Sequence, residues 1–501
     1  MKTETYKGLF AMHKYWGKKP FEELDYIVKK YSKKDDVVLD SFCGSGVTLV
    51  EALRLGRNAV GIDLNPIAIK LTHASLQSVD LKRLKSTFED IKEKVKPTID
   101  SLYLREFNGE KTLTTHIVWK GNKIDEVWCL DPNGKKKIRK ADKVDYEMSN
   151  NPSVPPKWYP ESLMFENSRI NVYKDQKVSD LFTKRALVGL SLILDEIKHV
   201  DDEAVREALE LTFTGAISQA SKLVFVIRRR GKAEKATLEG KPEVGSWVIG
   251  YWVPEEHFEI HSWNCFENRF KRILKGKEDV NSFSKKFNND YKLILGSATE
   301  IPLDDNSVDY VFIDPPHANR ILYMEQSLMW NAWLGLDKNI QWEKEIIVSE
   351  SKGRNKDLDS YSSLLNESFV EIRRVLKKDK YLSFAFNCFD DETWIKTLNL
   401  FINNGFQFVE IEPLEYSAHS VVQDNRKNGL KTDFVFTCIN SNALDQKEIY
   451  LSKDIDGLKA MISSVKKTCK NIEVYDLINR IFKKTIPQGY IYGVEDISKL
   501  S

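Results

Sequence analysis

Residues 310–325 read YVFIDPPHANRILYME, a β-branched and aromatic run that stops on Asp314, Pro315, Pro316 and His317. A carboxylate and a proline carbonyl side by side are two hydrogen-bond acceptors, and two successive prolines fix φ and stiffen the loop that carries them. An imidazole next to them can stack or hydrogen-bond, and its charge varies near neutral pH. Asp-Pro-Pro also serves as a plain turn after a strand, so its company decides. In VVLDSFCGSG, Asp40 ends a strand and Gly44 and Gly46 follow in a turn that opens a helix. Small residues there let the backbone approach a ligand with its N–H groups, or make only a tight connection. GIDLN then places Asp63 at the end of a neighbouring strand. Doubly wound sheets supply a carboxylate to ribose hydroxyls from that position, and a helix N-cap is the other reading. Together the two features point to a nucleoside cofactor, while the missing third glycine argues against a nicotinamide dinucleotide.

These groups need an α/β frame. DVVLD, the turn, VTLVEALRLG and NAVGIDLNP read as strand, helix, strand. YKLILGSA, VDYVFID, KYLSFAFN and TDFVFTCI read as further strands, and SYSSLLNESFVEIRRVLKK and DETWIKTLNLFINNG as amphipathic helices, the second closed by Gly405. Such alternation predicts a doubly wound, mostly parallel sheet covered by helices. Four segments follow: 1–80 with the glycine turn, an inserted helical and β region at 81–290 with a D-P-N-G hairpin turn, 291–442 with the second half of the sheet, and a helical extension at 443–501.

Bulk composition limits the remaining possibilities. The 501 residues suffice for two or three domains, and 42% hydrophobic content for a sizeable core. With 76 basic against 74 acidic side chains the net charge is +2, so any nucleic-acid surface must be a local patch. Six scattered cysteines without a C-x-x-C pair argue against a disulfide framework and a zinc ribbon. His257 and His261 lack ligating companions, and no metal site is read. The N-terminus lacks a signal-peptide core and the best apolar run, 186–194, is too short for a bilayer, so a cytoplasmic chain with no membrane partner is expected.

LDSFCGSGVTLVEALRLGRNAVGIDLNPIAI resembles the S-adenosylmethionine-binding motif of amino-methylating DNA methyltransferases, with Ser41 in place of the usual proline and Val47 in place of a threonine. The resemblance implies a Rossmann-like class I methyltransferase fold in which Asp40, Phe42, Gly44 and Gly46 line the cofactor and Asp63 holds its ribose. It brings in MHKYWGKKP at 12–20, where His13, Lys14, Trp16 and Lys18 would close over the methionine end, and Ser297 and Ala298 beside the adenine. Asp314 and the Pro315 carbonyl would accept hydrogen bonds from an exocyclic base amine. That amine is a poor nucleophile because its lone pair is delocalised, and the acceptors would draw its nitrogen towards tetrahedral geometry. The family motif is D-P-P-Y, whose aromatic grips an extruded base. Here His317 stands in its place and is expected to serve as the stacking platform, with Tyr323 and Trp330 reinforcing the grip or packing. No cysteine nucleophile is needed, and Cys43 is read as a packing residue.

The resemblance covers roughly 10–75, 155–230 and 245–440, and in this superfamily an intervening region such as 81–290 commonly holds target recognition. Lys135, Lys136 and Lys137, and Arg228, Arg229 and Arg230, are the basic clusters there that double-stranded DNA would meet, or solvated faces. The expected activity is site-specific methylation of DNA, with adenine N6 preferred over cytosine N4. A restriction nuclease or helicase is the implied partner, with the tail from about 443 as its expected docking ground. Rival readings are an RNA amino-methyltransferase and a non-catalytic, DNA-binding subunit of a defence system.

Overall fold

The computed structural model describes residues 8–229, 241–247, 250–286, 289–388, 390–414, 433–441, 447–469 and 472–500. After a strap at 8–20 come α1 (Phe21–Tyr31), β1 (Val37–Asp40), α2 (Val47–Arg54), β2 (Asn58–Asp63), α3 (Pro66–Leu76) and α4 (Leu81–Ser101). A mainly antiparallel group follows: β3 (Leu104–Phe107), β4 (Glu110–Lys120), β5 (Lys123–Leu130), β6 (Lys136–Lys140), α5 (Lys143–Asn150), α6 (Lys184–Lys198), α7 (Glu203–Ala220), β7 (Val224–Arg229), β8 (Lys241–Trp247), β9 (Glu256–Ile260) and α8 (Ser262–Ser284). The last part holds β10 (Tyr291–Leu295), β11 (Val308–Ile313), α9 (Tyr323–Trp333), α10 (Leu358–Val375), β12 (Leu376–Phe386), α11 (Asp391–Asn403), β13 (Phe406–Leu414) and β14 (Asp433–Asn440).

The central sheet has the order β10-β2-β1-β11-β12-β14-β13. Its first five strands pair in parallel and β14 runs against both neighbours. This is the doubly wound, mostly parallel sheet that the alternating pattern predicts. The chain leaves β1 to one side for β2 and later returns on its other side as β11, so a topological switch point lies at β1/β11, where such sheets bind ligands beyond their carboxyl ends. β13 is an addition to the predicted strands. FQFVEIEPL carries charges because it is a sheet edge, where Glu410 and Glu412 pair with Lys30 of α1.

The second sheet runs β6-β5-β4-β9-β7-β8, with β3 beside β4. Its β5–β6 hairpin turns on Asp131-Pro132-Asn133-Gly134, where the Asp131 carboxylate accepts from the N–H groups of Asn133 and Lys135. One continuous apolar core joins Met12, Tyr15 and Trp16 of the strap to α3, α4, α6, α7, α8 and α9. A second core lies between β12–β14, α10, α11 and the tail, where Phe482 of the helix Val474–Thr485 meets the Trp394 ring at 5.8 Å. No described helix is long and apolar enough to cross a membrane.

Candidate active site

Asp40 ends β1 and Asp314 follows β11, its direct parallel neighbour, so the fold brings the two acids to the same sheet edge. One cleft of about 870 Å3, mouth included, is lined from both sides of the switch point. Asp40, Ser41, Phe42, Gly44 and Asp63 form one wall, Ser297 and Ala298 border it, and Asp314, Pro316 and Tyr323 stand opposite.

The glycine turn is held by local geometry. Gly44 and Gly46 have φ of +52° and +77°, the left-handed region that side chains disfavour. A Cβ on Gly46 would lie 2.5 Å from Thr72 Cγ2, while Thr72 Oγ1 donates to the Gly44 carbonyl at 3.0 Å. The N–H groups of Gly44 and Asn65 both donate to the Asp63 carboxylate at 2.8 Å, which fixes it at the mouth of the turn. Pairing of Leu295 with Asp63 sets Ser297 and Ala298 alongside. Burial pushes the Asp40 carboxyl up to about 7, against hydrogen bonds from Thr48 and the Phe42 N–H and with the charges of Asp314 and Asp63 adding to it. Burial likewise raises Asp63 to about 6, opposed by its two N–H donors. Burial holds the Cys43 thiol well above its ordinary value, consistent with a packing role.

These groups fit S-adenosylmethionine. Two carboxylates suit ribose hydroxyls and a cationic ligand, and the Ser41 hydroxyl, buried in the cleft wall, has no hydrogen-bond partner among the described residues.

The strap is only partly as expected. Trp16 and Lys18 line the cleft, but His13 and Lys14 do not. His13 is buried edge-on against Trp330, and burial together with Arg269 lowers it to about 3. Lys14 instead lies 4.1 Å over the Trp247 ring. Lys18 donates its ammonium to the carbonyls of Phe10 and His13, both at 2.8 Å, so it braces the strap's own backbone. Trp330 is packing: it is fully buried and stacked on Trp16 at 4.9 Å.

His317 is the main correction. It does not line the cleft as an open plane; its ring is buried edge-on against Phe386, with Nε2 3.2 Å from Asp314 Oδ1. The strand end aims the Asp314 carboxylate at the cleft, and the next residues fold back: Ala318 takes φ +49° and the Pro316 carbonyl accepts from the Tyr361 hydroxyl at 3.0 Å. Asp314 has a partner that the motif did not reveal. Lys19 Nζ lies 2.8 Å from Asp314 Oδ2 and 2.7 Å from Asp433 Oδ2. Burial alone would raise Asp433, but the charges of Lys19 and Arg320 hold its carboxyl well below the usual range. Lys19 stands inside the quoted strap, and nothing in its immediate neighbours marks it.

Much of the basic surface predicted to meet DNA is already engaged. Lys136 sits 3.6 Å over the Trp128 ring, and Lys137 pairs with Glu110 at 2.6 Å. Arg228 is held by Glu256 at 2.7 Å and by Asp125 at 3.5 Å. Lys135 is exposed. Arg229 is described only as part of β7, and Arg230 lies outside the described residues.

A family profile described as DNA methylase matches residues 2–74, the strap and the glycine turn through α3. The type II methyltransferase M.MjaII of Methanocaldococcus jannaschii is 22% identical over 77% of this chain and 73% of its own length. M.BsoBI of Geobacillus stearothermophilus, also a type II methyltransferase, is 24% identical over 70% of this chain and 58% of its own. M1.MboII of Moraxella bovis reaches 35%, but over 63 residues that make up 24% of its length. A solved SAM-dependent methyltransferase from Methanosarcina mazei superposes at a TM-score of 0.26 with 10% identity over 83% of this chain and 97% of its own, too low to bear on the assignment. The glycine turn, the Asp63 carboxylate and Asp314 thus face one cleft in a chain that is similar, over 77% and 70% of its length, to two type II methyltransferases and, over its first 74 residues, to the DNA methylase profile.

Proposed function

We propose that the chain methylates an exocyclic amine of a base within a specific double-stranded DNA sequence, adenine N6 before cytosine N4, after the base leaves its stack. The observation that carries this reading is the shared cleft: the glycine turn and Asp314 line one cavity from adjacent parallel strand ends. S-adenosylmethionine supplies an electrophilic methyl group when bound. Asp63, Phe42, Gly44, Asp40 and the free hydroxyl of Ser41 are the groups that would hold it, with Ser297 and Ala298 at its border.

The chain's own residues do the rest. The Asp314 carboxylate and the Pro315 carbonyl accept hydrogen bonds from the base amine and orient its lone pair, and the two prolines and Tyr361 keep both acceptors from drifting. Tyr323, at the start of α9, is the cleft-lining ring carried by the segment that follows Asp314, and it takes the stacking role in this reading. A restriction nuclease sharing the target sequence is the partner that it implies.

Modified-base sequencing of DNA from cells that express the chain should show one methylated atom in one sequence context. In vitro, Asp314→Ala should lower single-turnover transfer by about 100-fold or more, with cofactor affinity by calorimetry changed less than about threefold. A wild-type protein that binds duplex DNA and methylates none of it would make the chain a binding subunit, and transfer to RNA alone would select the RNA enzyme.

A further inference from the structure

Five side chains close a ring that reaches the cleft wall through Lys19 and Asp314. Asp314 Oδ2 and Asp433 Oδ2 share the Lys19 ammonium at 2.8 and 2.7 Å. Asp433 Oδ1 faces Arg320 Nη1 at 3.3 Å, which lies 3.4 Å from His317 Nδ1. His317 Nε2 returns to Asp314 Oδ1 at 3.2 Å and also meets the Ala385 carbonyl at 3.3 Å. The ring joins the strap, the loop after β11, the end of β12 and the first residue of β14.

Its donor pattern fixes the histidine. Nε2 faces two acceptors, a carboxylate and a carbonyl, and so must carry the hydrogen; Nδ1 faces a guanidinium donor and so must offer its lone pair. Only the neutral Nε2–H tautomer satisfies both sides. A phenyl or phenol in its place has no donor at that point of the ring and would leave Asp314 Oδ1 and Ala385 O one partner short. Each carboxylate oxygen of Asp314 is thus held by one partner, Oδ2 by Lys19 and Oδ1 by His317, with lone-pair capacity left on each for a further donor.

We infer that His317 and Lys19 are positioning residues: they clamp the two oxygens of Asp314 and present its acceptor face to the base amine, and His317 is not the plane on which the base stacks. The inference rests on the proposed methyl transfer and assigns a task to the one residue that departs from the D-P-P-Y pattern.

Two substitutions separate donor from platform. His317→Gln places an N–H near the position of Nε2 without a ring, and His317→Phe restores an aromatic ring without a donor. With the DNA site found by sequencing, His317→Gln should keep single-turnover transfer within about fivefold of wild type, while His317→Phe loses about 100-fold or more at unchanged cofactor affinity. Lys19→Met should lose a similar factor, and the Lys19→Met, His317→Phe double variant should fall little further, because both act through one carboxylate. Transfer by His317→Phe equal to or above that of His317→Gln overturns the clamp in favour of stacking, and so does full additivity of the two losses. Histidine-selective 15N spectra of the wild-type chain, with the His317 signal assigned from the His317→Gln variant, supply a readout independent of activity and of the folding of His317→Phe. The Nε2–H tautomer near neutral pH is expected, and an Nδ1–H or charged ring overturns the proposal. Should wild type methylate no DNA, the proposed function falls, and these spectra decide the clamp alone.

Discussion

Gly46 stands where only a residue without a side chain fits, at φ +77° and with Thr72 2.5 Å from any added Cβ. Gly46→Ala adds left-handed strain of about 1–2 kcal/mol, with the clash on top, so the melting temperature should fall and cofactor binding by calorimetry should be lost. Asp40 gives a test in pH. Its folded carboxyl titrates near 7, above its unfolded value, so the folded state binds the extra proton between the two. Stability tied to that proton is complete below the unfolded value and is lost as pH rises through about 7. Asp40→Asn keeps an acceptor for the Phe42 N–H and cannot ionise. Its melting temperature relative to wild type should therefore climb from acid pH to above about 7. Asp314, Asp63 and the glycines were legible because their meaning is local: an acid at a strand end, a turn into a helix. Lys19 was not, because the partner that gives it meaning, Asp433, is 414 positions away. His317 was visible, but its role follows from a carbonyl on β12 that no local motif contains.

Among the elements, the strap does more packing than ligand contact. Trp16 is buried and stacked on Trp330, and Met12 sits so close to α8 that a Cβ on Gly276 would lie 2.1 Å from it. Trp16→Ala opens a large hole next to the cleft and should cost about 3–5 kcal/mol in urea unfolding, with cofactor affinity falling in parallel. Periodicity identified the helices α2, α10 and α11 and the buried strands of the central sheet, since continuous apolar runs and a 3.6-residue stripe are strong signals. It missed β13, whose alternating acids find their partner only when α1 supplies Lys30 opposite them. The same blindness applies to charge runs. The cluster at 134–140 lies on β6 and the one at 226–235 enters β7, and the sequence shows their lysines and arginines but not Glu110, Glu256 and Asp125 waiting across the sheet.

For the whole molecule, a net charge of +2 leaves DNA affinity to local exposed cations such as Lys135 and to the shape of the cleft. Lys135 is exposed while Arg228 is neutralised by two acids. Lys135→Ala should therefore reduce the slope of log K against log salt by about 0.9, and Arg228→Ala by clearly less, in fluorescence anisotropy with duplex DNA. The apolar core that begins at Met12 and ends at Ile347 passes through the strap, the inserted helices and α9 without a break. The inserted region and the cleft are consequently not detachable cassettes in this chain. An engineer who transplants residues 81–290 from a relative also replaces α4, α6, α7 and α8, against which Trp16 and α3 are packed, so changes to that region must proceed by surface side chains on a retained frame.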